Sequence, residues 1–214
     1  MLNFPRGIIV SIQPHGALDT AFSISAIAQD CAKHAVALRI QGVNNIREVV
    51  KSVKIPVIGL IKHKVDDLNV LITPTVEDAS AVIEAGAEYV AMECTDRADC
   101  EAIRSCVMLG IKVIADVGDF IHASKAQEMG ASAITTALSG YLFNHRADPF
   151  DPPSLSLVGI CTAMFDIPVI AEGRYWNEED IVECRGLGAH SVCIGTAISD
   201  PEMLTLRAKL WFGQ

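Results

Sequence analysis

Short apolar runs alternate with longer stretches of helical periodicity along the whole chain, and this alternation limits the fold more than any other feature. The apolar runs are bounded by turn residues and lie at residues 7–13, 36–40, 56–61, 89–92, 112–115, 133–136, 169–171 and 191–194. Apolar runs without polar alternation are typical of strands that are buried on both faces of a parallel sheet. The sequence therefore predicts eight parallel strands.

Helical stretches follow these strands. They cover residues 18–34, 43–53, 75–85, 155–164 and 177–187, with two more that end near residues 109 and 129 and a closing helix that begins at Pro201. Thr75 and Asp78 form a Thr-x-x-Asp start that caps a first helical turn, and residues 138–153 contain three prolines and a glycine, which indicates a loop. Eight strand–helix units without a long linker predict an α/β fold, a single-domain (β/α)8 TIM barrel over residues 1–214.

The composition excludes several classes of protein. The 214 residues are 50% hydrophobic and 20% charged, which is typical of a packed globular protein, and the net charge of -9 argues against a nucleic-acid-binding surface. Seven cysteines without a C-x-x-C pair fit free thiols in a reducing compartment, and the scattered histidines predict no metal cluster. The sequence has neither a signal-peptide pattern nor a membrane-spanning run, so we expect a cytoplasmic protein without membrane partners.

Polar residues or glycine stand at the carboxyl ends of all eight predicted strands, where barrels build their active sites. In chain order these residues are Gln13, Arg39, Lys62, Glu93, Asp116, Thr136, Glu172 and Gly195. The motifs of phosphate-binding P-loops, zinc hydrolases and serine hydrolases are missing from the sequence. The lysine and the carboxylates suit proton transfer instead.

Lys62 is the candidate base. A lysine base must be neutral near pH 7, and lowering its pKa from about 10.4 to roughly 7.5–8 costs about 3–4 kcal/mol. Desolvation at the barrel mouth and the like charge of Arg39 act in that direction. Asp116 and Glu172 act in the opposite direction, so the sequence leaves the sign of the pKa shift open.

The seventh and eighth strand ends are candidates for binding an anion. Loops after these two strands commonly hold the phosphate groups of barrel substrates. The backbone N–H groups in the pairs Gly173-Arg174 and Gly195-Thr196 are placed to bind a phosphate, and the Arg174 side chain adds a charged donor.

Several motifs occur together in a recognisable order. They are Gly7-Ile8-Ile9-Val10-Ser11-x-Gln13, Arg39-Ile40-x-Gly42-Val43, Pro56-Val57-Ile58-Gly59-Leu60-Ile61-Lys62, Thr95-Asp96-Arg97, Leu138-Ser139-Gly140-Tyr141 and Ala171-Glu172-Gly173-Arg174-Tyr175. This series resembles the N-acetylmannosamine-6-phosphate 2-epimerases of sialic-acid catabolism, over nearly the whole chain.

The resemblance implies a cofactor-independent inversion at carbon 2 that converts N-acetylmannosamine 6-phosphate to N-acetylglucosamine 6-phosphate. It implies that Lys62 accepts and donates the proton and that Glu172 assists it. Residues matching Gln13, Arg39 and Asp116 hold the sugar in that family. Members of the family tend to form homodimers, which gives the expected partners: a phosphosugar substrate and a second copy of the chain.

One departure from the family pattern bears on phosphate binding. An arginine usually follows the Ala-Ile-Thr of the last loop, whereas this chain has Ala197-Ile198-Ser199-Asp200-Pro201. An aspartate repels a phosphate, so Arg174 or the helix start at Pro201 must compensate. Two alternatives therefore stay open: another barrel isomerase or aldolase that acts on a phosphorylated metabolite, and a phosphosugar-binding protein without catalysis.

Overall fold

Eight parallel strands close into a barrel in the computed structural model, which describes residues 2–65, 70–142 and 146–213. In chain order the strands are β1 (Gly7–Ile12), β2 (Ala37–Gln41), β3 (Val57–Leu60), β4 (Lys62–Lys64), β5 (Val70–Ile72), β6 (Tyr89–Cys94), β7 (Val113–Val117), β8 (Ala133–Thr135), β9 (Val169–Glu172) and β10 (Ser191–Ile194). The barrel order is β1-β10-β9-β8-β7-β6-β3-β2, while β4 and β5 form a separate antiparallel hairpin. The predicted (β/α)8 TIM barrel is confirmed.

Helices cover the outside of the barrel. They are α1 (Ala21–Cys31), α2 (Val43–Ser52), α3 (Val76–Glu84), α4 (Glu101–Met108), α5 (Phe120–Glu128), α6 (Leu155–Met164), α7 (Glu178–Gly186), α8 (Thr196–Ser199) and α9 (Pro201–Trp211). Thr75 caps α3 as predicted, because its side chain accepts a hydrogen bond from the Asp78 N–H at 3.1 Å. Within the described part of the chain, none of the helices has the length and apolar character needed to cross a membrane.

Two helix predictions needed correction. The helix predicted over residues 18–34 begins only at Ala21, because Thr20 caps it and a short 3-10 turn (Gly16–Leu18) precedes it. The sequence also gave no signal for α8, a four-residue helix between β10 and α9. Residues 138–153 form a loop wherever the structure describes them, and residues 143–145 lie outside the described ranges.

Alternation along the strands builds two layers inside the barrel. Side chains two residues apart on a strand share a face, so every second residue of each strand points into the barrel interior. The lower layer is an apolar cluster that includes Ile9, Ala37, Ala91, Ile114, Ala133 and Ile170. The next interior positions on the same strands are Ser11, Arg39, Glu93, Asp116, Thr135 and Glu172. A polar layer therefore lies directly above an apolar plug, at the carboxyl ends of the strands.

The third barrel strand ends earlier than predicted. It was predicted to run to Ile61 and to present Lys62 at its end, but β3 ends at Leu60 and Lys62 opens the hairpin. The Ile61 N–H donates to Thr73 Oγ1 at 3.0 Å, and the Thr73 N–H donates to the Ile61 carbonyl at 2.8 Å. These bonds replace the barrel pairing and turn the chain away from the sheet.

Candidate active site

Arg39 lies at the centre of the polar layer. Its guanidinium donates to both oxygens of Asp116, at 2.8 and 2.5 Å, and Nη1 also donates to Glu172 Oε2 at 2.9 Å. Burial acts to lower the pKa of Arg39, but the charges of the two carboxylates outweigh burial and raise it. Arg39 is thus a permanent cation that joins β2 to β7 and β9.

Asp116 lies at the bottom of this arrangement and is fully buried. Besides the two bonds from Arg39, its Oδ1 accepts a hydrogen bond from Thr135 Oγ1 at 2.9 Å. Thr135 comes from the neighbouring strand β8 and stands beside Asp116 in the sheet register, whereas Arg39 reaches Asp116 from β2, three strands away around the barrel. Asp116 therefore fixes the orientation of Arg39 from below.

Glu172 ends β9 and is held by its backbone as well as by its side chain. Thr136 Oγ1 accepts from the Glu172 N–H at 3.0 Å and donates to the Glu172 carbonyl at 2.9 Å. Burial raises the pKa of Glu172 to about 7; Arg39 opposes this shift and Asp116 adds to it. The pairing with Arg39 does not keep the pKa low, because the effect of burial is larger than that of the Arg39 charge. Glu172 exchanges a proton near neutral pH.

Lys62 approaches the same region from the hairpin. Lys62 as a whole residue is exposed at the barrel mouth, and its side chain makes no hydrogen bond or ion pair with the described residues. Desolvation of its amine among the barrel residues lowers the pKa of Lys62, and the charge of Arg39 lowers it further, against the opposing effect of Glu172 and Asp116. The sequence left the direction of the Lys62 pKa shift open, and in the structure this pKa is lowered.

A cavity of about 730 Å³ at the barrel mouth brings the predicted site residues together. Eight of the nine line it, namely Gln13, Arg39, Lys62, Glu172, Gly173, Arg174, Gly195 and Thr196, whereas Asp116 lies beneath Arg39. A second groove of about 530 Å³ lies between α1 and α2, but no comparable set of charges converges on it. The barrel mouth is therefore the candidate active site.

Two polar atoms of the site are buried without a hydrogen-bond partner among the described residues. They are Arg39 Nε, which is a donor, and Gln13 Oε1, which is an acceptor. The other end of the Gln13 amide is fixed, because Nε2 donates to Ser11 Oγ at 2.7 Å. Buried polar atoms without partners are costly, so these two are suited to a polar ligand that binds in the cavity.

Arg174 makes contacts that its sequence position did not reveal. Gly173 has a φ of +108° and Arg174 a φ of +64°, so the chain turns sharply after β9. The Arg174 guanidinium donates to the carbonyls of Ser139 at 2.8 Å and Pro152 at 3.2 Å, and it lies 5.6 Å from the Tyr141 ring centroid. Arg174 lines the cavity and also ties the 138–153 loop to its rim.

Asp200 has a structural position in place of a phosphate-binding one. Its buried side chain caps α9 by accepting from the Met203 N–H at 3.1 Å, and its Oδ2 lies 2.9 Å from His15 Nδ1. His15 lines the cavity and Asp200 does not, so the cavity meets the imidazole ring of His15 at this side of the mouth.

The sequence model of the family described as "Putative N-acetylmannosamine-6-phosphate epimerase" (NanE) matches residues 23–210, which is most of the chain. The chain belongs to this family. A Clostridioides difficile (strain 630) member named "Putative N-acetylmannosamine-6-phosphate 2-epimerase" is 34% identical, with 96% of each chain covered. A member of the same name from Caldanaerobacter subterraneus subsp. tengcongensis is 35% identical, over 94% of this chain and 89% of its own.

A solved structure agrees with this membership. The N-acetylmannosamine-6-phosphate 2-epimerase from Clostridium perfringens superposes with a TM-score of 0.85 at 27% identity, covering 94% of this chain and 91% of that one. A thiamine phosphate pyrophosphorylase from Pyrococcus furiosus superposes with a TM-score of 0.62 at 15% identity, which reflects the barrel fold alone.

Several residues of this NanE-family site were not predicted from the sequence. Thr135 bonds to Asp116, and Cys193 stands beside Glu172 in the sheet register and lines the cavity. Cys193 lies two residues before the predicted strand end Gly195, so counting back in steps of two would have found it, whereas Thr135 lies one residue before the predicted end Thr136 and such a count misses it. His15 gave no signal, because its partner Asp200 lies 185 positions away.

Proposed function

We propose that this protein is a cofactor-independent epimerase that inverts carbon 2 of N-acetylmannosamine 6-phosphate. One observation carries the proposal: Lys62 and Glu172 line a single cavity, and their pKa values move towards neutrality from opposite directions. An inversion next to a carbonyl needs a base and an acid of that kind. Membership of the NanE family supplies the substrate.

The unpartnered atoms of the cavity give the sugar its binding contacts. A sugar hydroxyl donates to Gln13 Oε1, and a substrate oxygen accepts from Arg39 Nε. Asp116 acts on the substrate indirectly, since it is buried beneath the guanidinium that it orients. The phosphate binds at the Gly173-Arg174 and Gly195-Thr196 turns, which line the same cavity.

The reaction proceeds through the open-chain sugar, in which the carbon 1 carbonyl acidifies the carbon 2 proton. The neutral Lys62 amine removes that proton, and the electron pair moves onto the carbonyl oxygen to form an enolate. Arg39 is a fixed cation and stabilises the developing negative charge. Protonated Glu172 then delivers a proton to the opposite face of carbon 2 and becomes a carboxylate. Proton exchange with water restores both groups.

A solvent-exchange experiment tests this mechanism. Purified protein is incubated with N-acetylmannosamine 6-phosphate in heavy water without added cofactor, and carbon 2 is followed by NMR. We expect N-acetylglucosamine 6-phosphate that carries deuterium at carbon 2. An epimer without deuterium would overturn the proton-transfer mechanism, and the absence of any epimer would overturn the function.

Variants separate the proposal from its alternatives. Lys62→Ala should abolish turnover without unfolding the protein, because its side chain makes no bond with the described residues, while Lys51→Met on the exposed face of α2 serves as the matched control. An aldolase-like mechanism also uses a neutral lysine, but it forms an imine that borohydride traps on Lys62. Thermal stabilisation by the sugar phosphate without turnover would indicate a binding protein instead.

A further inference from the structure

Lys62 stands on a hairpin whose strands are not part of the barrel sheet. β4 and β5 pair only with each other, with Lys62 opposite Ile72 in the antiparallel register. The root of the hairpin is closed by hydrogen bonds between Ile61 and Thr73. A short two-stranded hairpin is marginally stable by itself, so the position of the Lys62 amine depends on what anchors β5.

Glu93 provides such an anchor. Its carboxylate is fully buried, and Oε2 accepts a hydrogen bond from the Ile72 N–H at 3.3 Å. The other oxygen, Oε1, accepts from Thr95 Oγ1 at 2.6 Å and from Arg97 at 3.0 Å (Nε) and 2.8 Å (Nη2). Because both oxygens are bonded, the carboxylate is held in one orientation. The backbone N–H that it binds belongs to Ile72, the residue opposite Lys62.

Neither the catalytic pair nor the cavity explains why a carboxylate is buried here. Glu93 does not line the cavity, and although Asp116 stands beside it in the sheet register, its side chain makes no hydrogen bond or ion pair with Arg39, Asp116 or Glu172 among the described residues. Burying a carboxylate is costly unless it is paired and hydrogen-bonded, and Thr95 and Arg97 meet that requirement. The Thr95-Asp96-Arg97 motif of the sequence thus acquires a physical role, which is to hold Glu93.

We propose that Glu93, fixed by Thr95 and Arg97, is a positioning residue that places the Lys62 amine over the barrel mouth by fastening β5 to β6. Thr95 and Arg97 lie in the turn after β6, so the anchor belongs to the rigid barrel. The inference rests on the proposed function only in taking Lys62 as the base. The placement of the amine itself is measurable without any substrate.

Placement matters because the surroundings of Lys62 set its proton affinity. The charged groups that act on its amine come from four elements, and they are Arg39 (β2), Glu172 (β9), Asp116 (β7) and Asp19 (before α1). If the hairpin loosens, the amine leaves the barrel residues that desolvate it and moves away from Arg39, and its pKa rises towards that of an ordinary lysine. Less neutral amine is then present at pH 7.

Competitive labelling with acetic anhydride over a pH series, read by peptide mass spectrometry, tests the proposal. The test variant is Glu93→Gln, in which an amide N–H₂ replaces one of the acceptor oxygens. Glu101→Gln, which breaks the exposed Glu101–Arg104 pair on α4, is the matched control, and Lys51 is the internal reference lysine. We expect the labelling midpoint of Lys62 to rise in Glu93→Gln, and to stay unchanged in Glu101→Gln.

The kinetic constants kcat and KM provide a second measurement, which would not change if Glu93 only stabilised the fold. Misplacement of a reacting group by about 1 Å costs up to about 100-fold in rate, so we expect kcat to fall about 10- to 100-fold with little change in KM. If Glu93→Gln does not fold, Thr95→Val removes one bond to Glu93 and should shift the Lys62 midpoint in the same direction. A folded variant whose Lys62 midpoint matches the wild type overturns the proposal, even if its melting temperature falls. If the Lys62 labelling midpoint shifts in Glu93→Gln but the wild-type protein shows no epimerase activity, the positioning role of Glu93 is retained and the proposed function is rejected.

Discussion

Replacing Glu172 by glutamine should make the protein more stable at neutral and alkaline pH while it removes a catalytic group. Burial raises the pKa of this carboxyl from an ordinary 4.5 to about 7 in the folded chain. Below about pH 4.5 the folded and unfolded chains both keep the proton, so Glu172 imposes no cost. Between pH 4.5 and 7 the unfolded chain ionises first, so folding becomes less favourable as the pH rises.

The size of the effect follows from the two pKa values. Each pKa unit corresponds to about 1.4 kcal/mol, so the ionised carboxylate destabilises the folded state by about 3 kcal/mol above pH 7. The side chain is only 14% exposed, so solvent screening reduces this figure little. Between about pH 5 and pH 8 the stability difference between Glu172→Gln and the wild type should grow by about 2–3 kcal/mol. For a chain of this length that is roughly 5–10 °C in melting temperature.

Urea unfolding of both proteins at several pH values between 5 and 8 measures this difference directly. Glu101→Gln, at an exposed position, should run parallel to the wild type over the whole series. Activity should respond in the opposite direction, with kcat reduced about 10²- to 10⁴-fold because a proton donor is lost. If the unfolding free energies of Glu172→Gln and the wild type keep a constant difference from pH 5 to pH 8, the reasoning about burial is wrong.

Three further substitutions test the packing around the site. Arg39→Met should lower the unfolding free energy by about 3–5 kcal/mol, because it leaves the carboxylates of Asp116 and Glu172 without their cation. Chemical denaturation near pH 8 measures this loss of stability, and a loss below about 1 kcal/mol would contradict the prediction. Gly59→Ala should cost about 1–3 kcal/mol in the same assay, since a Cβ there would lie 2.5 Å from Val82 Cγ1 and 2.8 Å from Ile46 Cδ1. Asp200→Ala should cost about 1 kcal/mol by uncapping α9, whereas Asp200→Asn, which keeps a capping oxygen, should melt close to the wild type.

The barrel was predictable because its signals are local. Each barrel strand is an apolar run, and helix starts such as those at Thr75 and Asn177 are recognisable from a few neighbouring residues. Eight repeats of that local pattern leave few alternatives to a closed barrel. Position at a strand end likewise indicated that Lys62, Arg39 and Glu172 would meet, because the carboxyl ends of parallel strands lie at one end of the barrel.

The chemistry of the site depends on contacts between distant parts of the chain. Arg39 bonds to Asp116 and Glu172, which lie 77 and 133 positions away, and the pKa of Lys62 is lowered first by desolvation and then by the charge of Arg39. No local pattern encodes these effects, since they depend on the distances and on the exclusion of water that the closed barrel creates.

The hairpin and Asp200 illustrate the same limit. Whether the chain after Leu60 continues a strand or folds back depends on Thr73 meeting Ile61, and the role of Asp200 depends on its cap and on His15 from the other end of the chain. Sequence periodicity determined the order of strands and helices and the end of the barrel that carries the site. Only the tertiary structure decided which charges neutralise each other, because electrostatic and hydrogen-bond energies depend on distances and burial in the folded chain.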